Sequence, residues 1–209
     1  MNITVIFFLG LIISLVGVIP PGLLNMTAAK ISLKEGHTRG IMFSVGVCVI
    51  VLVQTYIASV FARYLSKNTE VVDILQRVAF VIFVLITIYF LFVAKKEPKE
   101  VAEIEMRSKR SRFFQGMFMS VINVFPIPYQ AYMTITLASI GWLTFNQIDI
   151  LTYVIGTAMG TFVMLYIYMF FFDKIKDKPI TSQKSMNYLI GGITGIISVV
   201  TLINILKEL

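Results

Sequence analysis

Two short stretches of this 209-residue chain put helix-breaking residues and amides where they can hold a small polar molecule. The first is Gly17-Val18-Ile19-Pro20-Pro21-Gly22-Leu23-Leu24-Asn25, inside an apolar segment running from Ile3 to Ala29. Proline has no N–H, so Pro20 and Pro21 deprive the carbonyls of Val16 and Gly17 of their helical donors. A helix restarting beyond them exposes the amides of Gly22, Leu23 and Leu24, which have no intrahelical acceptor. The second stretch is Ser120-Val121-Ile122-Asn123-Val124-Phe125-Pro126-Ile127-Pro128-Tyr129-Gln130, where Pro126 and Pro128 free the carbonyls of Ile122 and Val124. An amide side chain follows at matching distance in each, as Pro21-x-x-x-Asn25 and Pro126-x-x-x-Gln130. Free amides at the positive end of a half-helix suit a carboxylate, and freed carbonyls suit an ammonium group. The dipole end contributes about 0.3–2 kcal/mol, a scale fit for a ligand that must also be released. The candidate binding residues are therefore Gly17, Pro20, Pro21, Gly22, Asn25, Asn123, Pro126, Pro128, Tyr129 and Gln130.

Each feature also has a plainer reading. One proline kink in a membrane helix is commonly satisfied by neighbouring hydroxyls or water. Two at matched positions point instead to a cavity shared by the two breaks. Asn25 and Gln130 are either ligands or interhelical hydrogen bonds of roughly 0.6–2 kcal/mol. Gln54, Tyr56, Thr157 and Thr161 read as interhelical bonds. Gly156-Thr157-Ala158-Met159-Gly160 and Gly191-Gly192-Ile193-Thr194-Gly195 permit close helix approach; packing within the chain is the first reading and a homodimer face the alternative.

The elements that must position these residues are membrane helices. Hydrophobic residues make up 57% of the chain and charged residues 14%, and its mean hydropathy is +0.86. The apolar residues come in blocks, without the weaker alternation of a membrane β-barrel. Six spans fit: 3–29 (broken), 40–62, 73–94, 113–141 (broken), 148–172 and 186–206. The expected fold is all-α, with residues 1–94 and 113–209 as two three-helix repeats around a charged linker at 95–112. Three spans per half is odd, so the halves enter the bilayer from opposite sides and form an inverted pair. Fourteen of the 18 Lys and Arg fall in the loops after the first, third and fifth spans. Those loops are expected to be cytoplasmic and both termini outside. This placement explains the net charge of +7 better than a nucleic-acid partner does. The first segment lacks a basic leader and is read as a retained span. Ser32-x-x-Glu35 is a weak capping-box signal, and Trp142 and Phe145 read as outer-interface aromatics.

No Asp or Glu falls inside an expected span, which leaves a proton relay or a cationic side-chain pocket without its usual carboxylate. His37 reads as a surface residue of a cytoplasmic loop. Cys48 is the lone cysteine and builds neither a disulfide nor a metal cluster. No nucleophile–base pair and no metal-ligand spacing are visible, so no enzyme, cofactor or metal centre is expected.

The order Pro20-Pro21-Gly22-Leu23-Leu24-Asn25, then Lys34-Glu35-Gly36-His37-Thr38-Arg39-Gly40, then Gly46, resembles the first half of LysE/RhtB-type amino-acid exporters. Gly116, Asn123 and Pro126 resemble that family's second-half glycine and Asn-Pro-Lys motif, here without the lysine. The resemblance implies a multi-pass protein of the bacterial inner membrane. It implies export of small amino acids or similar zwitterions by alternating access between the broken helices. A metal-ion or other small-solute exporter on the same scaffold is one alternative, and a non-transporting assembly or signalling protein is another.

Overall fold

The computed structural model describes residues 2–19, 22–67, 84–93 and 107–175, with individual residues between 77 and 81 and between 188 and 206. Within these it is helical: α1 (Ile3–Val18), α2 (Leu23–Glu35), α3 (His37–Leu65), α4 (Val84–Val93), α5 (Lys109–Ile122), α6 (Pro126–Ser139) and α7 (Gln147–Ile175). Among the described residues α3 and α7 are each long and apolar enough to cross a bilayer, and α1 and α2 reach that length and hydropathy only when taken together as one broken span. Most of the expected third and sixth spans, and of the linker, lies outside the described residues, as do Pro20 and Pro21.

The helix boundaries follow from local chemistry. Asn2 caps α1 by accepting from the Thr4 N–H at 3.0 Å, and Ser108 caps α5 through Ser111 at 3.1 Å. Pro126 opens α6 at a position whose N–H would be unbonded in any residue. The second helix of each interrupted pair stops at a glycine in the left-handed region, Gly36 (φ 94°) after α2 and Gly141 (φ 75°) after α6. The helix α2 runs past the expected end of the first span at Ala29 and reaches Glu35. Ser32 is therefore inside a helix and starts none, which removes the capping-box reading. Its hydroxyl lies 2.9 Å from His37 Nδ1.

Cα packing divides the chain into two units. The first comprises Met1–Tyr64 and Ala102–Lys174, and the second comprises Leu65–Val101 and Ile175–Leu209. Each unit draws on both halves of the sequence. In the first, α1 turns Phe8, Ile12, Val16 and Ile19 outward while Gly10 and Ser14 are buried. Likewise α3 exposes Val53, Ile57, Val60 and Phe61 and buries Ser44, Gln54, Thr55 and Ser59. A water-soluble bundle has the reverse pattern; apolar-out and polar-in suits a lipid solvent. Where lipid competes equally for apolar surface, helices associate through close packing at small residues. The two buried apolar clusters lie at different levels of α7. One joins Leu165 and Met169 to Ala28, Ile31, Phe43 and Val47; the other joins Tyr153 to Ile6, Leu137 and Leu143.

Candidate functional site

Two glycine contacts bring the interrupted helices onto their neighbours. A Cβ on Gly10 would stand 2.4 Å from the Tyr153 carbonyl, and one on Gly156 would stand 2.2 Å from that of Phe7. The α5–α3 contact has the same reciprocal form: Gly116 against the Phe43 carbonyl at 2.1 Å, Gly46 against that of Phe113 at 2.0 Å. Gly160 also faces α1, through Leu11, so both glycines of the Gly156-x-x-x-Gly160 surface are used within the chain. Gly10 and Gly116 open the same frame, Gly-x3-Ser-x5-Pro: Gly10, Ser14, Pro20 and Gly116, Ser120, Pro126. Both serines are buried. Aligning the halves on prolines and amides misses this frame; aligning them on the first glycine of each interrupted span reveals it.

Several carbonyls at the end of each first half-helix have donors. At the end of α1, Val18 O accepts from Asn25 Nδ2 at 2.8 Å and Ile19 O from the Tyr168 hydroxyl of α7 at 2.5 Å. Val16 O, expected to be free, accepts from the Ile19 N–H at 3.3 Å. At the end of α5, Gln54 Nε2 reaches over from α3 and donates to Ser120 O and Asn123 O, each at 3.0 Å. Val124 O, also expected to be free, accepts from the Ile127 N–H at 3.1 Å. Gln54 thus performs the bonding role expected of it, at the break itself.

The two interruptions touch. The Tyr129 ring lies over Gly17, where a Cβ would come within 2.6 Å of it, and its hydroxyl donates to Ile13 O at 2.9 Å. Phe125 stacks on Tyr129 with centroids 6.1 Å apart. Gln130 is buried in α6 and accepts from the Tyr153 hydroxyl through Oε1 at 2.6 Å. Ser14 and Thr161 hydroxyls join α1 to α7 at 2.8 Å. The structure therefore brings Gly17 and Tyr129 together and sets Asn25, Asn123, Pro126, Pro128 and Gln130 around the interruptions. Asn25 and Gln130 each bond to a tyrosine of α7, Asn25 to Tyr168 and Gln130 to Tyr153, and Asn25 also ties back to Val18 O of its own span. No side chain caps the N-terminus of α2, where Gly22 is extended (φ −104°, ψ 179°), or that of α6.

One pairing went unread in the sequence. Glu35 and Arg112 are both buried and bonded through two contacts, Arg112 Nε to Glu35 Oε2 at 2.9 Å and Nη2 to Oε1. Arg112 Nη1 also donates to Gln115, and Arg39 donates to the carbonyls of Glu35 at 2.7 Å and Arg107 at 2.8 Å. The buried residues 28, 31 and 35 mark a helical face that continues beyond Ala29, and that spacing was the available signal.

A family model for the LysE type translocator matches residues 15–204. Comparison with curated proteins and with solved structures finds no match.

Proposed function

Since the chain belongs to the LysE type translocator family, whose members are integral membrane translocators and not enzymes, we propose that it exports small amino acids or similar zwitterions. The observation that supports this reading is the meeting of the two interrupted helices at Gly17 and Tyr129. In the proposed mechanism the substrate carboxylate takes the uncapped amides at the start of α2. Its ammonium group takes carbonyls that Asn25 and Tyr168 cover in the present conformation. Tyr129 moves off Gly17 to admit it.

The proposed architecture is an inverted repeat. The Gly-x3-Ser-x5-Pro frame, the reciprocal glycine contacts and the glycine stops at Gly36 and Gly141 support that reading. Alternating access then exchanges closure at one membrane face for closure at the other. With the basic loops inside a bacterial cytoplasmic membrane and both termini outside, the Glu35–Arg112 pair lies at the cytoplasmic end and holds α2 to α5 when that side is shut.

The test is efflux of labelled neutral and basic amino acids from proteoliposomes holding the folded protein. Efflux of a neutral amino acid is expected; retention of every amino acid tried overturns the reading.

A further inference from the structure

We propose that the C-terminal end of α5 is a binding site for a small alkali cation, sodium in size, made of neutral oxygens. Only its use as a coupling ion rests on the exporter reading above.

Gln54 is 6% exposed and Ser120 and Thr55 are fully buried, yet Gln54 Oε1, Ser120 Oγ and Thr55 Oγ1 have no hydrogen-bond partner. An orphaned buried polar atom costs roughly 1–3 kcal/mol. Two of them, Gln54 Oε1 and Ser120 Oγ, belong to residues in contact across one helix crossing, and such a pair calls for a ligand. The main-chain oxygens of Ser120 and Asn123 sit beside them, at the negative end of the α5 dipole. At present the Gln54 amide nitrogen fills the place between those two carbonyls and presents its hydrogens to them, as a small cation would present its charge. A half-turn of the amide exchanges Nε2 for Oε1 with no change of shape. Without an ion the turned amide sets three oxygens against one another. With an ion, Gln54 Oε1, Ser120 O and Asn123 O become ligands, and Ser120 Oγ is adjacent.

The donor set selects the class of ion. Unwound carbonyls at a half-helix C-terminus are how carriers hold sodium at membrane depth. A divalent ion needs carboxylates to offset its charge, and a soft ion needs sulfur or imidazole. Among the described residues no three His, Cys, Asp or Glu side chains converge on such a site. A trapped water would satisfy the same orphans, and it would not depend on which salt is present.

The test is thermal unfolding of the purified full chain in detergent at constant ionic strength, in sodium, potassium, methylammonium or choline chloride. Ligand that binds only the folded state raises the midpoint with concentration. A saturable rise in sodium over choline is expected. Ser120→Ala should weaken the apparent sodium affinity about tenfold, and Gln54→Glu, which puts a carboxylate in the same shape, should tighten it by about tenfold or more. Both Gln54→Glu and Gln54→Leu remove the amide donor, but in Gln54→Glu a bound cation, or a proton on the carboxyl, can take its place between the carbonyls, so that variant keeps the test open. Equal midpoints in all four salts, for the parent and Gln54→Glu alike, overturn the proposal. A response to methylammonium alone also overturns it and assigns the oxygens to a primary amine. The readout is binding, so its failure is separable from failure of transport. Sodium stabilisation without amino-acid efflux would sink the exporter reading only, and efflux with a salt-insensitive midpoint would sink the cation site only.

Discussion

Glu35 at the last turn of α2 and Arg112 in the first turn of α5 form a buried, doubly bonded ion pair that joins the two halves of the sequence. Two charges withdrawn from water gain little net stability even when well paired, but removing one partner strands the other. Glu35→Gln and Arg112→Leu should each destabilise the protein by about 3–5 kcal/mol. The double variant Glu35→Met/Arg112→Met should recover most of the loss. Thermal melts of the three variants in detergent check this; additive losses in the double variant would mean that the two residues do not act on each other.

The reciprocal contact of Gly46 and Gly116 leaves no room for a methyl group. Gly46→Ala and Gly116→Ala each drive a Cβ to about 2.0–2.1 Å from a backbone carbonyl on the facing helix. Each should cost roughly 1–3 kcal/mol by overpacking. The double substitution should cost less than the sum, because the first already separates α3 from α5. Gly192→Ala, with nothing within 4 Å of the added atom, is the neutral control. Melting temperature and yield in membranes report all four; a Gly46→Ala protein as stable as the control would contradict the packing.

Gln130 can be separated into a structural and a binding role. Gln130→Leu removes the acceptor 2.6 Å from the buried Tyr153 hydroxyl, at about 1–3 kcal/mol if Thr134 and Thr157, which also adjoin that hydroxyl, do not take it up. Adding Tyr153→Phe removes the orphan and should restore the melting temperature. If Gln130 also touches the substrate, efflux stays low in the double variant. Efflux restored together with stability would reduce Gln130 to a helix–helix bond.

At the first break, Tyr168→Phe removes the donor to Ile19 O, and Asn25→Leu removes the donor to Val18 O. Each should cost about 0.5–1.5 kcal/mol if water replaces the lost donor, and more if the carbonyl stays dry. Midpoints measured for both, singly and together, check the pair; no loss in either would mean that these carbonyls are satisfied some other way.

Local chemistry was readable from the chain; pairing across it was not. Pro126 declares a helix start by its missing N–H, and Gly141 marks a stop, so most boundaries of α5, α6 and α7 lie within a few residues of expectation. The end of α2 was misplaced because Lys30 and Lys34 read as loop, although Leu24, Ala28, Ile31 and Glu35 keep a helical spacing. Val16 and Val124 were expected to offer free carbonyls, but local N–H groups from Ile19 and Ile127 close on them. The bonds of Gln54 to α5, of Tyr168 to α1 and of Glu35 to Arg112 join residues far apart in sequence, and one sequence holds no signal for such partners. Asn25 and Gln130, alike in type and spacing, each meet a tyrosine of α7, and neither tyrosine was marked by the sequence as their partner.

In the proposed mechanism the contact of Gly17 with Tyr129 must open for substrate to pass. The most direct test compares efflux of a labelled neutral amino acid from proteoliposomes of the parent chain with Gly17→Leu, whose side chain would occupy the place of the Tyr129 ring. Efflux is expected from the parent, and little or none from Gly17→Leu at matched incorporation. Equal efflux from both, or none from the parent, would contradict the mechanism.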